Sequence, residues 1–262
     1  MNLETNYNKP TLIDTLHENI SKSPGKSVCI YWKHNNIYVV KKLDKIVDKS
    51  TIHLPEIYDD ETEFFHIPEE DNPRVCLYIC APNQSGKTTY VARFIEFYKE
   101  IHPNIDIVLI SKLEKDPILD KFKLKRIDPY KMKFPKNALD ILKNSLVIFD
   151  DIDQIHDKEV SKKLQQLIEE ILSNGAHFNI GIIITNHLLS DYKKTRAILN
   201  ECGSITVFPK SGCAHHLNYL LRNYIGMEKD QIEKVKNLDS RWVTIFKNYP
   251  QVVLHTRGCY LL

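Results

Sequence analysis

Eight consecutive residues, Ala81 to Thr88, have the composition of a loop that binds the phosphates of a nucleotide. The pattern is Gly or Ala, four residues, then Gly-Lys-Ser/Thr, between a strand and a helix. In such a loop, backbone N–H groups converge on a phosphate at the start of the helix. The lysine neutralises phosphate oxygens, and the Thr hydroxyl completes the coordination of Mg²⁺. We therefore predict ATP and Mg²⁺ as cofactors, with nucleotide contacts from Ala81, Pro82, Asn83, Gln84, Ser85, Gly86, Lys87, Thr88 and Thr89.

A second group has the composition of the metal-binding strand that accompanies such a loop. Four apolar residues, 146–149, are followed by Asp150 and Asp151. Open α/β sheets bind ligands at the carboxyl ends of their strands, so Asp150 and Thr88 are predicted to hold Mg²⁺. Asp151 would orient or deprotonate the attacking water, with Lys87 as a second catalytic residue. The alternative for Asp151 is a helix N-cap, because it precedes a helical pattern.

The elements that position these residues follow from hydrophobic patterning. Strand-like apolar runs at 75–80, 105–110, 145–149, 180–185 and 204–208 are separated by helical patterns at 88–100, 160–171 and 188–199. This order predicts an α/β fold, a P-loop NTPase with a mainly parallel sheet flanked by helices. An extra strand is predicted between the phosphate loop and the Asp150 strand. Kinases that phosphorylate nucleotides usually place these two on adjacent strands.

The two ends of the chain are predicted to add smaller elements. Residues 1–24 indicate a loose arm or short helix, and two short strands around Asn35-Asn36 predict a hairpin. Near the other end, a helical stripe ending at Gly226 and a short helix are followed by a hairpin around Tyr249-Pro250. We therefore divide the chain into two parts: 1–72, an N-terminal arm with a small β elaboration, and 73–262, an ATPase domain with a C-terminal helix–hairpin extension.

Charge is distributed unevenly although the formal net charge is only +2. Residues 51–72 carry eight acids and no Lys or Arg, whereas residues 112–136 carry nine bases against four acids. Residues 193–262 carry eleven bases against five acids. This separation is compatible with a basic track for DNA or with contacts between subunits, and equally with ordinary solvated charge.

Composition also narrows the class of protein. No apolar run approaches the ~20 residues of a membrane span, and the polar N-terminus does not resemble a signal peptide. The six cysteines lack the paired spacing of a zinc site, so reduced thiols in a cytosol-like compartment are expected. A soluble α/β enzyme is the expectation.

Four blocks together resemble the genome-packaging ATPases of poxvirus type found in large nucleocytoplasmic DNA viruses and virophages, within the FtsK–HerA superfamily. The blocks are Pro82 to Thr88, Phe149-Asp150-Asp151, Ile184-Thr185-Asn186-His187, and Thr195 to Glu201 running into Ile205 to Pro209. The resemblance covers roughly residues 73–262. It implies the additional-strand sheet of RecA/FtsK-like motors and an ATPase that drives double-stranded DNA into a capsid. It also implies a ring of identical subunits, a capsid or portal partner, and a place in the cytoplasm of the infected cell (the virus factory) or in the virion.

The resemblance also implies roles for individual residues. Asn186 would be the polar sensor that contacts the γ-phosphate or its attacking water, although a strand-end turn residue is the alternative. Arg196 would be the arginine finger that a neighbouring subunit supplies, with Arg222 as the second candidate. Many members of the superfamily carry Asp-Glu where this chain has Asp150-Asp151. DNA contacts are expected from the lysines between Lys112 and Lys136 and from Lys193, Lys194 and Lys210.

Two functions of other classes remain open at this stage. An ATPase of this fold can act on protein partners as an assembly or scaffolding factor and never grip DNA. A small-molecule kinase is the third alternative, and the extra strand and the paired carboxylates argue against it.

Overall fold

The computed structural model describes residues 26–33, 36–42, 57–58, 63–187, 192–249 and 251–262, with side chains from residue 63 onwards except at 192–194. The predicted arm at 1–24 lies outside the described residues, as does most of the acidic stretch before residue 63. Within the described part of the chain, no helix is long and apolar enough to cross a membrane.

The described chain contains thirteen strands and six α-helices. The strands are β1 Lys26–Lys33, β2 Asn36–Lys42, β3 Ile57–Tyr58, β4 Phe64–His66, β5 Cys76–Cys80, β6 Asp106–Ser111, β7 Lys125–Ile127, β8 Ser145–Asp150, β9 Ile180–Asn186, β10 Ser204–Val207, β11 Val243–Phe246, β12 Val252–His255 and β13 Gly258–Leu261. The helices are α1 Lys87–Ile101, α2 Ala138–Ile141, α3 Lys158–Asn174, α4 Tyr192–Glu201, α5 Ala214–Leu220 and α6 Lys229–Asn237.

Ten of these strands form one sheet in the order β3-β13-β12-β11-β10-β5-β9-β8-β6-β7. The pairs from β10 through to β7 are parallel, and the pairs from β10 back to β3 are antiparallel. The predicted α/β class with a mainly parallel sheet is therefore confirmed. The carboxyl ends of the parallel strands meet at one edge, which is where such sheets place their ligands.

The central strands are apolar on both faces because helices cover both faces of the sheet. In β5, Leu77 and Ile79 pack with the buried side of α1, whereas Tyr78 and Cys80 pack with the buried side of α3. All four side chains are fully buried. This continuous burial explains why each central strand reads as an unbroken apolar run that ends in a polar residue.

The extra strand of the sheet is β9, which lies between β5 and β8. A strand thus does intervene in space, as the fold class predicts, but it comes from later in the chain and is not the run at 105–110 on which the prediction was based. β6, which follows the phosphate loop in sequence, lies on the far side of β8. The strand order is set by long-range pairing, which the order of apolar runs along the chain does not encode.

Both ends of the chain add the small elements predicted for them. β1 and β2 form the expected antiparallel hairpin, and β11 and β12 form the second one. The helical stripe ends in a short π-helical turn, Leu221–Ile225, closed by Gly226 at a φ of 83°. The structure adds β13, which was not predicted, and β4, whose Phe64 packs against β12 and β13. The boundary at residue 72 stays a prediction.

Candidate nucleotide-binding site

The phosphate loop joins β5 to α1 in a backbone conformation that favours its glycine. Gly86 has a φ of 104°, in the left-handed region where a side chain is strained. Gln84 also has a positive φ, 62°. The backbone N–H of Ala81 donates to the carbonyl of Asn186 at 3.1 Å, so the start of the loop is tied to the end of β9. The loop therefore lies where the carboxyl ends of β5 and β9 meet.

Lys87 is held in the mouth of this loop. Its side chain is only 7% exposed. The Nζ atom donates to the carbonyl of Ala81 at 2.8 Å and lies 3.4 Å from Oδ1 of Asp151. A buried ammonium group needs such partners, because burial without them is costly. The loop thus positions a cation where phosphate oxygens can replace the carbonyl as its partner.

Asp150 ends β8 as a buried carboxylate with two hydroxyl donors. Ser111 Oγ donates to its Oδ2 at 3.0 Å, and Thr185 Oγ1 donates to its Oδ1 at 3.0 Å. Burial, and next the charge of Asp151, raise the pKa of Asp150 above its usual value. These oxygen donors fit Mg²⁺, a hard cation that prefers carboxylate, hydroxyl and water ligands. A cation here would also relieve the cost of the buried charge.

The raised pKa predicts a stability effect in the nucleotide-free protein. The folded state keeps the Asp150 proton more tightly than the unfolded state, so this group favours folding at low pH and loses that contribution as the pH rises. Asp150→Asn removes the buried charge, and we expect it to raise the melting temperature at pH 7 by roughly 2 °C or more. The gain should shrink towards pH 4 in a thermal-unfolding series. Asp140→Asn, at an exposed position, is the matched control, and a lower melting temperature for Asp150→Asn would contradict the argument.

The carboxylate of Asp151 points towards Lys87 of the loop; the residue occupies the N-cap position of the short 3₁₀ helix Ile152–Gln154, but its side chain makes no capping hydrogen bond. Its backbone is left-handed, with φ 47° and ψ 43°, and its N–H donates to Thr185 Oγ1 at 2.9 Å. The N-cap of α3 is Asp157, whose carboxylate accepts from the N–H groups of Glu159 and Val160. The N-cap position predicted as the alternative is therefore present before this short turn and not before α3, and the carboxylate of Asp151 does not act as the cap. A strained conformation that aims a carboxylate at Lys87 is typical of a functional site, and the catalytic role stays a prediction.

Asn186 is the last residue of β9 and is buried beside the phosphate loop. Its Nδ2 lies 3.4 Å from the hydroxyl of Tyr78. Within the described residues, its Oδ1 is buried without a hydrogen-bond partner, and so is Oγ of Ser85 in the loop. Such atoms are rare in folded proteins and indicate a polar partner that completes the site. Both atoms fit a site for a hydrated phosphate.

Two residues without a predicted role complete the site. His187 donates through Nε2 to Asn83 Oδ1 of the loop, and its backbone N–H donates to Asp153 Oδ2 at 2.8 Å. The same Nε2 lies 3.5 Å from Asp151 Oδ2. Arg241, in the segment just before β11, donates from Nε to the carbonyl of Ser85 at 2.8 Å. The phosphate loop is therefore held by His187 at Asn83 and by Arg241 at Ser85.

A comparison with known proteins gives a relative for most of the chain. Protein V3 of Sputnik virophage, described as uncharacterized, is 37% identical over 235 residues, which cover 88% of this chain and 91% of V3. The chain belongs to the family of this virophage protein. No protein-family profile matches the sequence.

Two solved structures share the fold of this V3-family protein. The genome packaging NTPase B204 of Sulfolobus turreted icosahedral virus 2, in complex with ATP-gammaS, has a TM-score of 0.50 and 15% identity, over 71% of this chain and 98% of B204. The pCW3 conjugation coupling protein TcpA, in its monomer form with ATPgS, has a TM-score of 0.51 and 13% identity, over 94% of this chain and 82% of TcpA. These similarities confirm the predicted P-loop NTPase fold and the expected resemblance to the viral packaging ATPases.

The V3-family protein brings most of its predicted site residues together. Lys87, Asp150, Asp151 and Asn186 lie at one edge of the sheet, around the loop. The arginine-finger candidates Arg196, on α4, and Arg222, on the π-helical turn, are exposed.

Several site residues of the V3-family protein were missed by the sequence reasoning. Ser111 and Thr185 carried a usable signal, because each is a polar residue at the end of an apolar strand. His187 was noted without a role. Arg241 carried no local signal, since its bond to Ser85 joins residues 156 positions apart.

Proposed function

We propose that this protein is an ATPase that moves double-stranded DNA, and that it packages viral genomic DNA into a capsid. The observation that carries the proposal is the convergence of Lys87, Asp150, Asp151 and the partly unsatisfied Asn186 at the phosphate loop. The protein shares its fold with a genome packaging NTPase and with a conjugation coupling protein, and this similarity supports the proposal that it moves DNA. Both of those structures contain an ATP analogue.

The chemistry follows from what the chain's residues can do. Mg²⁺, held by Thr88 and Asp150, would supply charge neutralisation for the triphosphate. Lys87 would bind phosphate oxygens, and that competition would weaken its contact with Asp151. Asp151 could then accept the proton of an attacking water. Asn186 would donate to one oxygen and accept from the water, because an amide can do both.

The site also has a route by which hydrolysis could reach the rest of the sheet. Asn186 is the last residue of β9, and its own carbonyl accepts from Ala81 in the loop. His187 follows directly and contacts both Asn83 and Asp153. Loss of the γ-phosphate would therefore alter the contacts of Asn186 and His187. These two residues lie at the end of β9, directly before the segment that leads to α4. Arg196 lies on that helix.

We further propose a ring of identical subunits in which Arg196 reaches the phosphates of the neighbouring site, with Arg222 as second candidate. A capsid or portal protein is the proposed docking partner. The proposed location is the cytoplasm of the infected cell, in the virus factory, or the virion. The virophage relative and the packaging NTPase neighbour support a role inside infected cells.

DNA contacts are proposed for the basic segment between β6 and α2. Lys121, Lys123 and Lys125 are all exposed on or near the edge strand β7. Lys125 is paired with Asp106 at 2.6 Å, so Lys121 and Lys123 offer the more available charge. A motor that holds a duplex without reading its sequence should rely on such phosphate contacts.

Long duplex DNA is expected to bind the assembled protein and to stimulate its ATP hydrolysis. Binding should weaken about tenfold or more between low and physiological salt, as counterion release requires. Replacing Lys121, Lys123 and Lys125 by Glu should remove DNA binding and DNA stimulation, because the attraction of this segment for phosphates would become repulsion. ATP binding should be unchanged, since these lysines lie outside the phosphate loop. DNA affinity against salt concentration and ATPase rate with and without DNA measure both effects.

The matched control replaces Lys143, Lys158 and Lys162, which are also exposed, by Glu. It makes the same change in net charge outside the proposed DNA segment and should keep DNA stimulation. Duplex DNA that neither binds nor stimulates the assembled wild-type protein would defeat the packaging proposal. ATP turnover that is indifferent to DNA would leave an ATPase that acts on protein partners.

A further inference from the structure

A cavity of about 280 Å³ opens directly beside the phosphate loop. Gly86 and Thr89 form its border on the loop side, and aromatic side chains form much of the remaining wall. Three of these are Phe65 from β4, Tyr90 from α1 and Trp242 from the segment before β11. The walls thus come from three distant parts of the chain. None of these three aromatic residues has a role in the phosphate chemistry described above.

The cavity wall is rigid because a buried network of hydroxyl groups fixes it. The hydroxyl of Tyr90 is 2.7 Å from His66 Nδ1 and 2.6 Å from Thr244 Oγ1. Thr206 Oγ1 also donates to it, at 3.2 Å. The ring of Trp242 stands edge-on to that of Tyr90, with centroids 5.0 Å apart. Aromatic faces that are held in place lose little conformational freedom when a ligand stacks on them.

Two arginine side chains, Arg93 and Arg241, also line the cavity. The guanidinium of Arg93 lies over the ring of Phe65, 4.5 Å from its centroid. Arg241 faces Gly86 and bonds to the carbonyls of Ser85 and Gln84. Flat aromatic faces next to guanidinium groups favour a planar, electron-rich ring. The cavity is therefore suited to a heteroaromatic ring that is attached to an anion.

We propose that this cavity binds the nucleoside part of the nucleotide, with the base packed against both Trp242 and Phe65. The proposal rests on the proposed nucleotide-binding function, because it takes the phosphates to lie at Gly86, Lys87 and Thr88. A triphosphate held there continues past Thr89, which is the loop-side border of the cavity. The cavity is close to the lower end of the size range of small-ligand pockets, about 300 Å³.

The proposal gives the segment before residue 73 a role in the nucleotide site. β4 is tied to the C-terminal part of the chain by the backbone bond from Phe64 N–H to the Thr256 carbonyl, 2.9 Å long. Phe65 and His66 in the same strand face the helix that follows the phosphate loop. The functional ATPase unit therefore begins before β4. A chain that starts at residue 73 would lose one wall of the cavity.

The test compares ATP with inorganic tripolyphosphate, which offers the same phosphates without a nucleoside, each in the presence of Mg²⁺. Stacking of a base on an aromatic side chain is worth roughly tenfold or more in affinity. The full-length protein should therefore bind ATP about tenfold or more tightly than tripolyphosphate. In a Trp32→Phe background, where Trp242 is the remaining tryptophan, ATP should change the tryptophan fluorescence and tripolyphosphate should leave it nearly unchanged.

Substitutions in the wall provide the second arm. Trp242→Ala and Phe65→Ala should each weaken ATP binding about tenfold and leave tripolyphosphate binding as it was. Tyr249→Ala, at an aromatic residue that is 72% exposed and outside the cavity, is the matched control and should bind both ligands like the wild type. The fluorescence experiment in the Trp32→Phe background leaves the cavity wall intact. It therefore tests the cavity proposal even if a wall variant fails to fold.

The two possible failures are distinguishable. Equal affinities for ATP and tripolyphosphate, with no fluorescence response to ATP, would overturn the cavity proposal and leave the phosphate loop in place. Binding of neither ligand would overturn the nucleotide-binding function itself, and the cavity proposal with it.

Discussion

Replacing Lys87 with Ala is expected to reduce ATP hydrolysis by about 10³-fold or more and to weaken ATP binding sharply. Lys87 is the buried cation of the loop mouth, bonded to the Ala81 carbonyl and 3.4 Å from Asp151. Its removal would leave the β- and γ-phosphate charge without its main balancing group and would leave a carboxylate facing that charge. Steady-state phosphate release measures turnover. The rise in melting temperature that a non-hydrolysable ATP analogue produces measures binding.

Asp151→Asn is the matched variant that separates binding from turnover. It keeps nearly the same shape as Asp151, and its amide oxygen can still accept from Thr185. Because it cannot accept a proton, we expect turnover to fall about 100-fold or more, while the analogue still raises the melting temperature. A Lys87→Ala protein that folds and hydrolyses ATP at the normal rate would contradict the assignment of the phosphate loop as the site of ATP hydrolysis.

The parts of the fold that the sequence predicted are those with a local signal. The phosphate loop is a contiguous pattern, and its flanking strand and helix follow from periodicity over residues 75–100. Asp150 was predicted because a buried strand reads as an apolar run and its end is marked by a charge. The paired carboxylates could be placed at the ligand-binding edge for the same reason. Local patterns therefore predicted the centre of the site.

What the sequence could not predict depends on long-range pairing. β9 takes the place between β5 and β8 although β6 comes earlier in the chain. Arg241 reaches Ser85 across 156 positions, and the bonds of Tyr90 to Thr206 and Thr244 span 116 and 154. The short strand β13 was missed because four residues near the end of the chain carry little periodicity. The contacts that hold the loop and the cavity wall in place therefore form only when the sheet folds, and no local pattern in the sequence predicts them.

At Asp151 the structure shows which contacts the side chain makes, where the sequence left two predictions open. A carboxylate ahead of a helical pattern is typical of an N-cap, and the same carboxylate after a buried strand is typical of a catalytic site. Asp157 makes the capping bonds, so Asp151 is available to contact Lys87. The left-handed backbone at Asp151 is uncommon for a residue other than glycine, and residues in such conformations cluster at functional sites.

The second large effect is expected at Arg196. If it stabilises the transition state on a neighbouring subunit, Arg196→Ala should lower ATP hydrolysis by about 10³-fold or more, with ATP binding retained. Arg196 is exposed on α4, the helix that follows β9 and the proposed sensor residue Asn186. An exposed arginine at that place can meet the site of another copy of the chain in a ring. Steady-state ATPase rates of the assembled variant measure the loss.

Mixing two inactive variants distinguishes a trans arginine from a merely structural one. In rings formed from equal amounts of Arg196→Ala and Lys87→Ala subunits, about a quarter of the interfaces pair an intact loop with an intact Arg196, if assembly is random and the contact is head-to-tail. Part of the activity should therefore return on mixing. Activity that stays lost in mixed rings would mean that Arg196 acts within its own subunit or supports its helix. Full activity of Arg196→Ala alone would exclude it and make Arg222→Ala the next partner for the same mixing experiment, since Arg222 is equally exposed.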